Sequence, residues 1–300
     1  MRGRKLYGGG QTRASTSLLM LLPWLLLFFL FTILPILAAI ALSFTNFNMV
    51  QTPSFIGAAN YLRLFLEDDV FLIAVRNTLI LALVTGPGGY ILSFVIAWFI
   101  NDTGRVMRPL LTLLFYSPTL AGNVYVIWTF IFSGDSVGLL NSLLLSVNII
   151  KEPVMWLTDP RYNLYICMVV ILWMSMGAGF LAFVAGFKQL NVSLFEAAAM
   201  DGLRNRWQEL WYVTLPQMVP QLMIGAVLTV SGAFAVGYQC MALTGFPSTD
   251  YSTHTIVLHI LDYGNYRFEM GYACAVSVVL FTAMVCTWGL INKGLRSVGE

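Results

Sequence analysis

Six long apolar runs constrain this 300-residue chain more than any other feature. None of the runs contains Asp, Glu, Lys, Arg or His. They are Leu18–Leu42, Thr78–Ile100, Pro109–Phe132, Leu164–Phe187, Met218–Tyr238 and Tyr272–Ile291. A helix needs about 20 apolar residues to cross the hydrocarbon core of a bilayer. The sequence therefore predicts an all-α integral membrane protein with six transmembrane helices.

The charge composition supports the membrane class and excludes others. Only 10% of the residues are charged, whereas a soluble domain has about 25%. Too few charges remain to cover a soluble enzyme or to keep a chain disordered. The net charge of +2 predicts no bulk attraction to nucleic acid.

The distribution of basic residues predicts the orientation. With the N-terminus in the cytoplasm, 11 of the 16 Lys and Arg residues fall on the cytoplasmic side, as the positive-inside rule requires. We expect a cytoplasmic tail at residues 1–17, a six-helix domain at 18–292 and a second cytoplasmic tail at 293–300. The first run is longer than the apolar core of a signal peptide, which favours an uncleaved anchor. The expected location is the bacterial cytoplasmic membrane.

Smaller features predict structural roles. In the first external loop, Tyr61, Leu62, Phe65 and Leu66 have helical spacing, which predicts an interfacial helix. The Gly86–Gly89 run, Gly-Pro-Gly-Gly, predicts a kink or a close helix contact. We interpret the cysteines as buried small apolar residues and the histidines as loop or interface residues. These residues are Cys167, Cys240, Cys274, Cys286, His254 and His259.

The chain has no motif for catalysis, metal binding or nucleotide binding. A G-x-x-x-x-G-K-[ST] sequence is absent, and this sequence would be needed to cradle ATP phosphates in a P-loop. A nucleophile elbow, an H-E-x-x-H sequence and paired intramembrane carboxylates are absent as well. We therefore expect no catalytic residue, no metal site and no cofactor in this chain.

The loop from Lys188 to Gln217, expected in the cytoplasm, has a helical pattern of its own. Ser193 and Glu196 have the spacing of a capping box, which predicts the start of a helix. Gly202 can end it in the left-handed conformation. A second helix should place Leu203, Trp207, Leu210 and Trp211 on one face and Arg204, Asn205, Gln208 and Glu209 on the other. Pro216 is expected where the fifth span begins.

The same loop resembles the EAA loop of the membrane subunits of ABC importers. The matching positions are Glu196, Ala197, Ala198, Asp201, Gly202, Val213, Leu215, Pro216 and Pro220. Further segments are similar to the carbohydrate-uptake branch, which includes maltose-type, lactose-type and glycerol-phosphate-type permeases. They are Ser43–Asn46, Phe55–Gly57, Asn60–Tyr61, Arg76–Thr78, Gly138–Asn141 and Gly271–Ala273. Leu243–Pro247 departs from the family's usual Leu-Thr-Gly-Gly-Gly-Pro, because it is one residue shorter and has Phe246 in place of a glycine.

The resemblance implies a fold, a function and partners. It implies the transmembrane domain of a type I ABC importer that carries a sugar or oligosaccharide. The implied partners are a second homologous permease, two cytoplasmic ATPase subunits that bind ATP and Mg, an extracytoplasmic solute-binding protein and the lipid bilayer. The residues expected to contact the ATPase are Glu196, Ala197, Ala198, Asp201, Gly202, Leu215 and Pro216.

The substrate and the transport mechanism are open to alternatives. Spans without ionisable residues disfavour a proton-coupled carrier and favour a neutral, polyhydroxylated solute. The candidates to line its path are Tyr116, Asn123, Trp128, Trp173, Ser231, Tyr238 and Gln239. An ion-gradient-driven secondary carrier for a small neutral solute is the alternative, and a lipid-modifying membrane enzyme is a weaker one.

Overall fold

A computed structural model describes residues 10–296, with side-chain environments for residues 19–293. The parts of the expected tails at 1–9 and 297–300 lie outside this range. Within it the helices are joined by loops, and one isolated bridge pairs Thr45 with Phe55. The α-helices are α1 (Gly10–Phe28), α2 (Leu34–Leu42), α3 (Ala59–Leu66), α4 (Asp69–Asn101), α5 (Met107–Leu120), α6 (Tyr125–Ile131), α7 (Leu139–Ser146), α8 (Asn163–Trp173), α9 (Ala178–Lys188), α10 (Val192–Met200), α11 (Arg206–Glu209), α12 (Leu215–Gln217), α13 (Val219–Phe234), α14 (Tyr238–Thr244), α15 (Ile256–Leu261) and α16 (Met270–Arg296). Phe29–Ile33, Leu210–Thr214 and Asp262–Tyr266 are π-helical.

Six segments are apolar and long enough to cross a membrane when each bent pair of helices is counted as one. Four have no bend of more than 40°, at Leu19–Leu42, Asp69–Asn101, Asn163–Lys188 and Met270–Lys293. The other two combine α5 with α6, bent by 88°, and Arg206–Gln217 with α13, bent by 83°. The all-α architecture with six spans is thus confirmed.

The third and fifth spans differ in detail from the prediction. The run Pro109–Phe132 is not one helix, because α5 ends at Leu120 and Ala121 has an extended backbone. Pro118 removes a helical hydrogen bond and Gly122 has a low helix propensity, which together favour a break here. In the fifth span, Pro220 rather than Pro216 occupies the first turn of the long helix, and Pro216 belongs to short α12 before the bend.

Helices α4, α9 and α13 form the centre of the molecule and pack closely on one another. A Cβ added at Gly89 would lie 2.7 Å from Cβ of Ser175, and one at Gly86 would lie 3.5 Å from Cβ of Ala233. These glycines let the backbones approach, so the predicted close contact at Gly86–Gly89 is confirmed. Helix α16 packs beside this centre, against α2, α13 and α15.

The first span lies apart from this centre along much of its length. No residue of Leu19–Leu42 is buried, and large side chains such as Trp24 and Phe31 are exposed. Such an all-round apolar surface is compatible with hydrocarbon but not with water. A helix is present at the predicted position as α3, and its Leu62, Phe65 and Leu66 side chains are exposed. Its location at a membrane interface stays a prediction.

Of the two histidines expected in loops or interfaces, His254 lies in the loop before α15, whereas His259 lies within α15. Both side chains are fully buried, which the sequence did not predict. They lie at the end of the bundle where α4 begins. Nε2 of His254 lies 3.3 Å from Nδ1 of His259, and Nε2 of His259 lies 3.2 Å from Oδ2 of Asp68. The hydroxyl of Tyr272 donates to the same Asp68 oxygen. Polar partners explain how imidazoles can be accommodated in the interior.

The cysteines follow the prediction in part. Cys167 and Cys240 are fully buried, as expected of small apolar residues. Cys274 is half-buried, and Cys286 is exposed, so the interpretation is wrong for Cys286. It follows Val285 on α16, which is exposed as well.

Candidate functional site

The first part of the 188–217 loop is helix α10, which is capped differently from the prediction. The N-cap residue is Asn191, whose side-chain oxygen accepts hydrogen bonds from the amide and the hydroxyl of Ser193. Ser193 therefore lies inside the helix, and the capping box with Glu196 is wrong. Asn191 competes well as a cap because its amide oxygen reaches the free N–H groups of the first turn.

Helix α10 ends at Gly202 in the way the sequence predicts. Gly202 has φ of +96°, a region that glycine adopts without strain. Its amide donates to the carbonyl of Ala199, and the amide of Leu203 donates to the carbonyl of Ala198. These two bonds form a Schellman motif, which fixes a sharp turn directly after Asp201.

The residues expected to contact the ATPase lie mostly at the surface of this turn. Glu196, Ala197, Asp201, Gly202 and Pro216 are exposed, whereas Ala198 and Leu215 are half-buried. A Cβ at Gly202 would have no atom within 4 Å. The turn is therefore accessible to a partner, and its backbone requires glycine even though its surroundings are open.

The second half of the loop does not form the predicted amphipathic helix. Helix α11 ends at Glu209, and a π-helical segment continues to Thr214. Wider π turns shift which residues share a face, so Leu210 and Val213 are buried while Trp207 and Trp211 are exposed. The apolar face proposed for Leu203, Trp207, Leu210 and Trp211 is therefore wrong, except for Leu210.

The loop is attached to the C-terminal end of α4 by three kinds of contact. Nη1 of Arg206 donates to Oδ2 of Asp102 at 2.6 Å. The ring centroids of Trp98 and Trp207 lie 5.3 Å apart. Leu210 is buried in the same cluster as residues of α4. The amide of Asn191 also donates to the side chain of Gln217, which joins the two ends of the loop.

A cavity of about 370 Å³ lies beside the central helices. It lies at the break between α8 and α9 and near the end of α13. The polar side chains that line it are Thr85, Thr119, Ser175, Thr229 and Gln239. No charged residue lines it, so the wall offers hydroxyl and amide groups to a solute.

The structure brings only one of the predicted path residues to this cavity, namely Gln239. The Trp128 and Trp173 rings pack together at 5.1 Å, and the Tyr238 ring packs on Tyr125 at 5.7 Å. Ser231 lies in a different crevice, against α16. Asn123 is exposed, and Tyr116 is half-buried against the apolar cluster that contains Phe94 and Phe183. The seven candidates therefore do not form one site.

The predicted path residues include none of the four hydroxyl residues that line the cavity. A usable signal exists in the sequence. Ser175 and Thr229 are small polar residues in apolar runs, and Ser175 adjoins the interruption between α8 and α9. Small polar residues near a helix break can line a cavity without leaving backbone groups in contact with lipid.

Comparison with known proteins gives the family. The model described as "binding-protein-dependent transport system inner membrane component" matches residues 89–292. YesP of Bacillus subtilis (strain 168), a probable ABC transporter permease protein, is 30% identical over 264 residues, which are 86% of this chain and 83% of YesP. The lactose transport system permease protein LacF of Rhizobium radiobacter is 29% identical over 266 residues, 86% of each chain.

Two further similarities extend the comparison. The arabinooligosaccharides transport system permease protein AraP of Bacillus subtilis (strain 168) is 26% identical over 271 residues, which are 88% of this chain and 83% of AraP. The fold matches a chain of a bacterial ABC transporter involved in the import of the acidic polysaccharide alginate. That match has a TM-score of 0.79 at 24% identity and covers 96% of this chain and 98% of the other. The chain belongs to the binding-protein-dependent transport family and is an integral membrane permease subunit of an ABC transporter, not an enzyme.

Proposed function

We propose that this permease imports a neutral sugar or oligosaccharide. The observation that carries the proposal is the uncharged cavity, whose hydroxyl and amide groups match a polyhydroxylated solute. Relatives named for lactose and arabinooligosaccharide transport support the same substrate class. The spans contain no ionisable residue in their apolar runs, which disfavours coupling to protons.

The proposed assembly has four other subunits. A second homologous permease completes the path, two cytoplasmic ATPase subunits bind ATP and Mg, and an extracytoplasmic protein delivers the solute. The solved alginate transporter was captured with its pentasaccharide-bound periplasmic protein, which supports such an arrangement. This chain itself supplies no nucleotide-binding motif.

The proposed orientation places both termini and the 188–217 loop in the cytoplasm of a bacterial cell. The distribution of Lys and Arg supports it. In this orientation the exposed turn at Glu196–Gly202 faces the ATPase subunits. Helix α4 begins next to Asp68, in the histidine cluster, and ends next to Asp102, which contacts the 188–217 loop. The buried histidine cluster then lies at the extracytoplasmic end.

The substrate proposal is tested at Thr229. Its hydroxyl lines the cavity and makes no hydrogen bond among the described residues. Thr229→Val keeps the side-chain volume but removes the hydrogen bond proposed between the hydroxyl and the solute. Such a bond is worth about 1 kcal/mol. Uptake by the complete complex in proteoliposomes should then need about fivefold more solute for half-maximal rate.

Thr282→Val is the matched control. Thr282 is exposed on α16 and bonds only the carbonyl of Val278 in its own helix, so uptake should not change. Unaltered uptake in Thr229→Val, or exclusive transport of an amino acid or a metal ion by the wild-type complex, would contradict the proposal.

A further inference from the structure

The 188–217 loop is joined to the membrane domain by an ion pair outside the region expected to contact the ATPase. Arg206, the first residue of α11, pairs with Asp102, the residue that ends α4. The side chains are 60% and 33% exposed. Exposed pairs change a folding equilibrium by only about 1.4-fold to 5-fold. Stability alone therefore gives little reason for this pair.

Asp102 lies at a helix end where its negative charge needs a nearby cation, and Arg206 is that cation. The C-terminal end of a helix carries partial negative charge, so a carboxylate there is disfavoured unless a cation is close. Asp102 is the C-cap of α4, a helix of 33 residues. Arg206 supplies the compensating cation, and Nη2 of Arg108 donates to the Asn101 carbonyl at the same end. The end of α4 is thus held by charges from its neighbours.

Two apolar contacts reinforce the ion pair. Trp207 follows Arg206 and packs against Trp98, one turn before the end of α4. Leu210 is buried in a cluster with Phe94 and Ile100, both on α4. Phe195 of α10 lines the small crevice between the loop and α4. The loop and the end of α4 are therefore in contact through charge, aromatic rings and aliphatic packing.

Helix α4 connects this contact to the cavity. Gly89 of α4 packs against Ser175, which lines the cavity. Gly89 lies 13 positions before Asp102, which corresponds to about 20 Å of helix, and this stretch of α4 contains no proline. A displacement applied at Asp102 is therefore carried to the wall of the cavity.

We propose that Asp102 and Arg206 are positioning residues, which make α4 move together with the 188–217 loop when the ATPase displaces that loop. The inference rests on the proposed function of the loop. The direct path from the loop runs into α13, across the bend of 83° at Met218. The ion pair adds a second path, into the continuous helix α4. Removing it leaves the ATPase bound but weakens the coupling of hydrolysis to transport.

The experiment uses the complete complex in proteoliposomes, with Asp102→Ala, Arg206→Ala and the reversed pair Asp102→Arg with Arg206→Asp. Each single variant should co-purify with the ATPase as wild type does, but should hydrolyse about 1.4-fold to 5-fold more ATP per solute imported. The reversed pair should restore the wild-type ratio. Arg204→Ala is the control, since Arg204 is exposed on the same loop and has no ion pair within the described residues.

The other outcomes separate the two claims. A wild-type ratio in both single variants, failure of the reversed pair to restore it, or loss of ATPase co-purification in the single variants would overturn the inference. Glu196→Lys serves as the reference for the loop itself. Should Glu196→Lys lose ATPase binding while the ion-pair variants stay normal, only the inference fails. Should Glu196→Lys also bind ATPase and transport normally, the proposed function of the loop fails.

Discussion

At the residue scale, His254 and His259 are held neutral in the folded protein. Burial, and then the neighbouring His259, lower the pKa of His254 to about 4. Burial also lowers the pKa of His259, although Asp68 and Asp262 oppose that change. Burial acts to raise the pKa of Asp68, but hydrogen bonds from Tyr272 and the Phe71 amide bring it below its ordinary value.

These pKa changes predict loss of stability in acid. An unfolded histidine titrates near about 6.5, so below that pH the unfolded chain binds protons that the folded chain does not. The free energy of unfolding therefore falls as the pH decreases from about 6.5 towards 4. Asp68 adds a further loss only below about pH 4. Thermal unfolding in detergent, measured between pH 4 and 8, should show the decrease.

The control for this prediction is a double variant, His254→Gln with His259→Gln. Its stability at pH 7 is not the readout, because the substitution also changes buried hydrogen bonds. The readout is the slope between pH 6.5 and about 4.5, which should flatten. A variant with the wild-type slope would show that other groups cause the acid sensitivity.

A second residue-scale prediction concerns the packing of α4 on its neighbours. A Cβ at Gly89 would lie 2.7 Å from Cβ of Ser175, which lies in the turn between α8 and α9. Gly89→Val should therefore lower the free energy of unfolding by about 1–3 kcal/mol through overpacking. Gly289→Val, on α16 where nothing lies within 4 Å, is the control. Equal melting temperatures for the two variants would contradict the close contact.

The sequence predicted some residue environments and not others. The approach at Gly86–Gly89 followed from glycine in an apolar run. The burial of His254 and His259 did not, because Asp68, which contacts His259, lies about 190 positions earlier in the chain and only the tertiary fold brings the two together. Likewise, Asn191 rather than Ser193 caps α10 because two good cap residues lie two positions apart.

At the element scale, the turn at Gly202 gives a prediction for the ATPase-binding surface. Gly202→Asp places a side chain at φ of +96° and adds a charge to the turn. The strain costs about 1–2 kcal/mol, too little to unfold the packed bundle. Glu196→Lys reverses an exposed charge on the preceding helix. Both variants should be inserted at normal abundance but lose ATPase co-purification and uptake.

A cap variant separates docking from helix stability. Asn191→Ala removes the N-cap bond of α10, which costs about 1 kcal/mol, without changing charge on the exposed turn. It should retain most ATPase binding. Normal uptake in both Glu196→Lys and Gly202→Asp would mean that this turn is not the contact surface.

The spans show which elements a pattern can predict. Apolar runs located all six spans, because hydrocarbon thickness sets their length. They did not locate the break between α5 and α6 or the π-helical segment at Leu210–Thr214. Hydrophobicity does not distinguish a regular α-helix from a broken or π-helical one, because these differ in backbone hydrogen bonding. The apolar face predicted for Leu203–Trp211 was wrong because the π-helical segment after α11 changes which residues share a face.

At the scale of the whole molecule, the charge distribution predicts the topology. A cysteine introduced at Arg204 lies in the exposed loop that should face the cytoplasm. In a background with the native cysteines replaced, an impermeant thiol reagent added to intact cells should not modify it. A cysteine introduced at Glu67, exposed beside α3, should be modified. The reverse pattern would invert the orientation.

The fold and the family were predictable from six runs and one loop, whereas the position of the cavity was not. Its wall combines residues of α4, α5, α8, α9 and α13 with Gln239 of α14, and no spacing in the sequence relates Thr85 to Thr229. The partner subunits lie outside this chain, and the exposed turn at Gly202 is the surface that we propose one of them binds.

The most direct test of the account compares this chain alone with its complete complex in proteoliposomes. The complex, purified through a tag on this chain, should import a neutral oligosaccharide only with ATP, Mg and the solute-binding protein present. The chain alone should neither hydrolyse ATP nor transport, because it has no phosphate-binding loop. Uptake by the chain alone, driven by an ion gradient, would contradict the central claim.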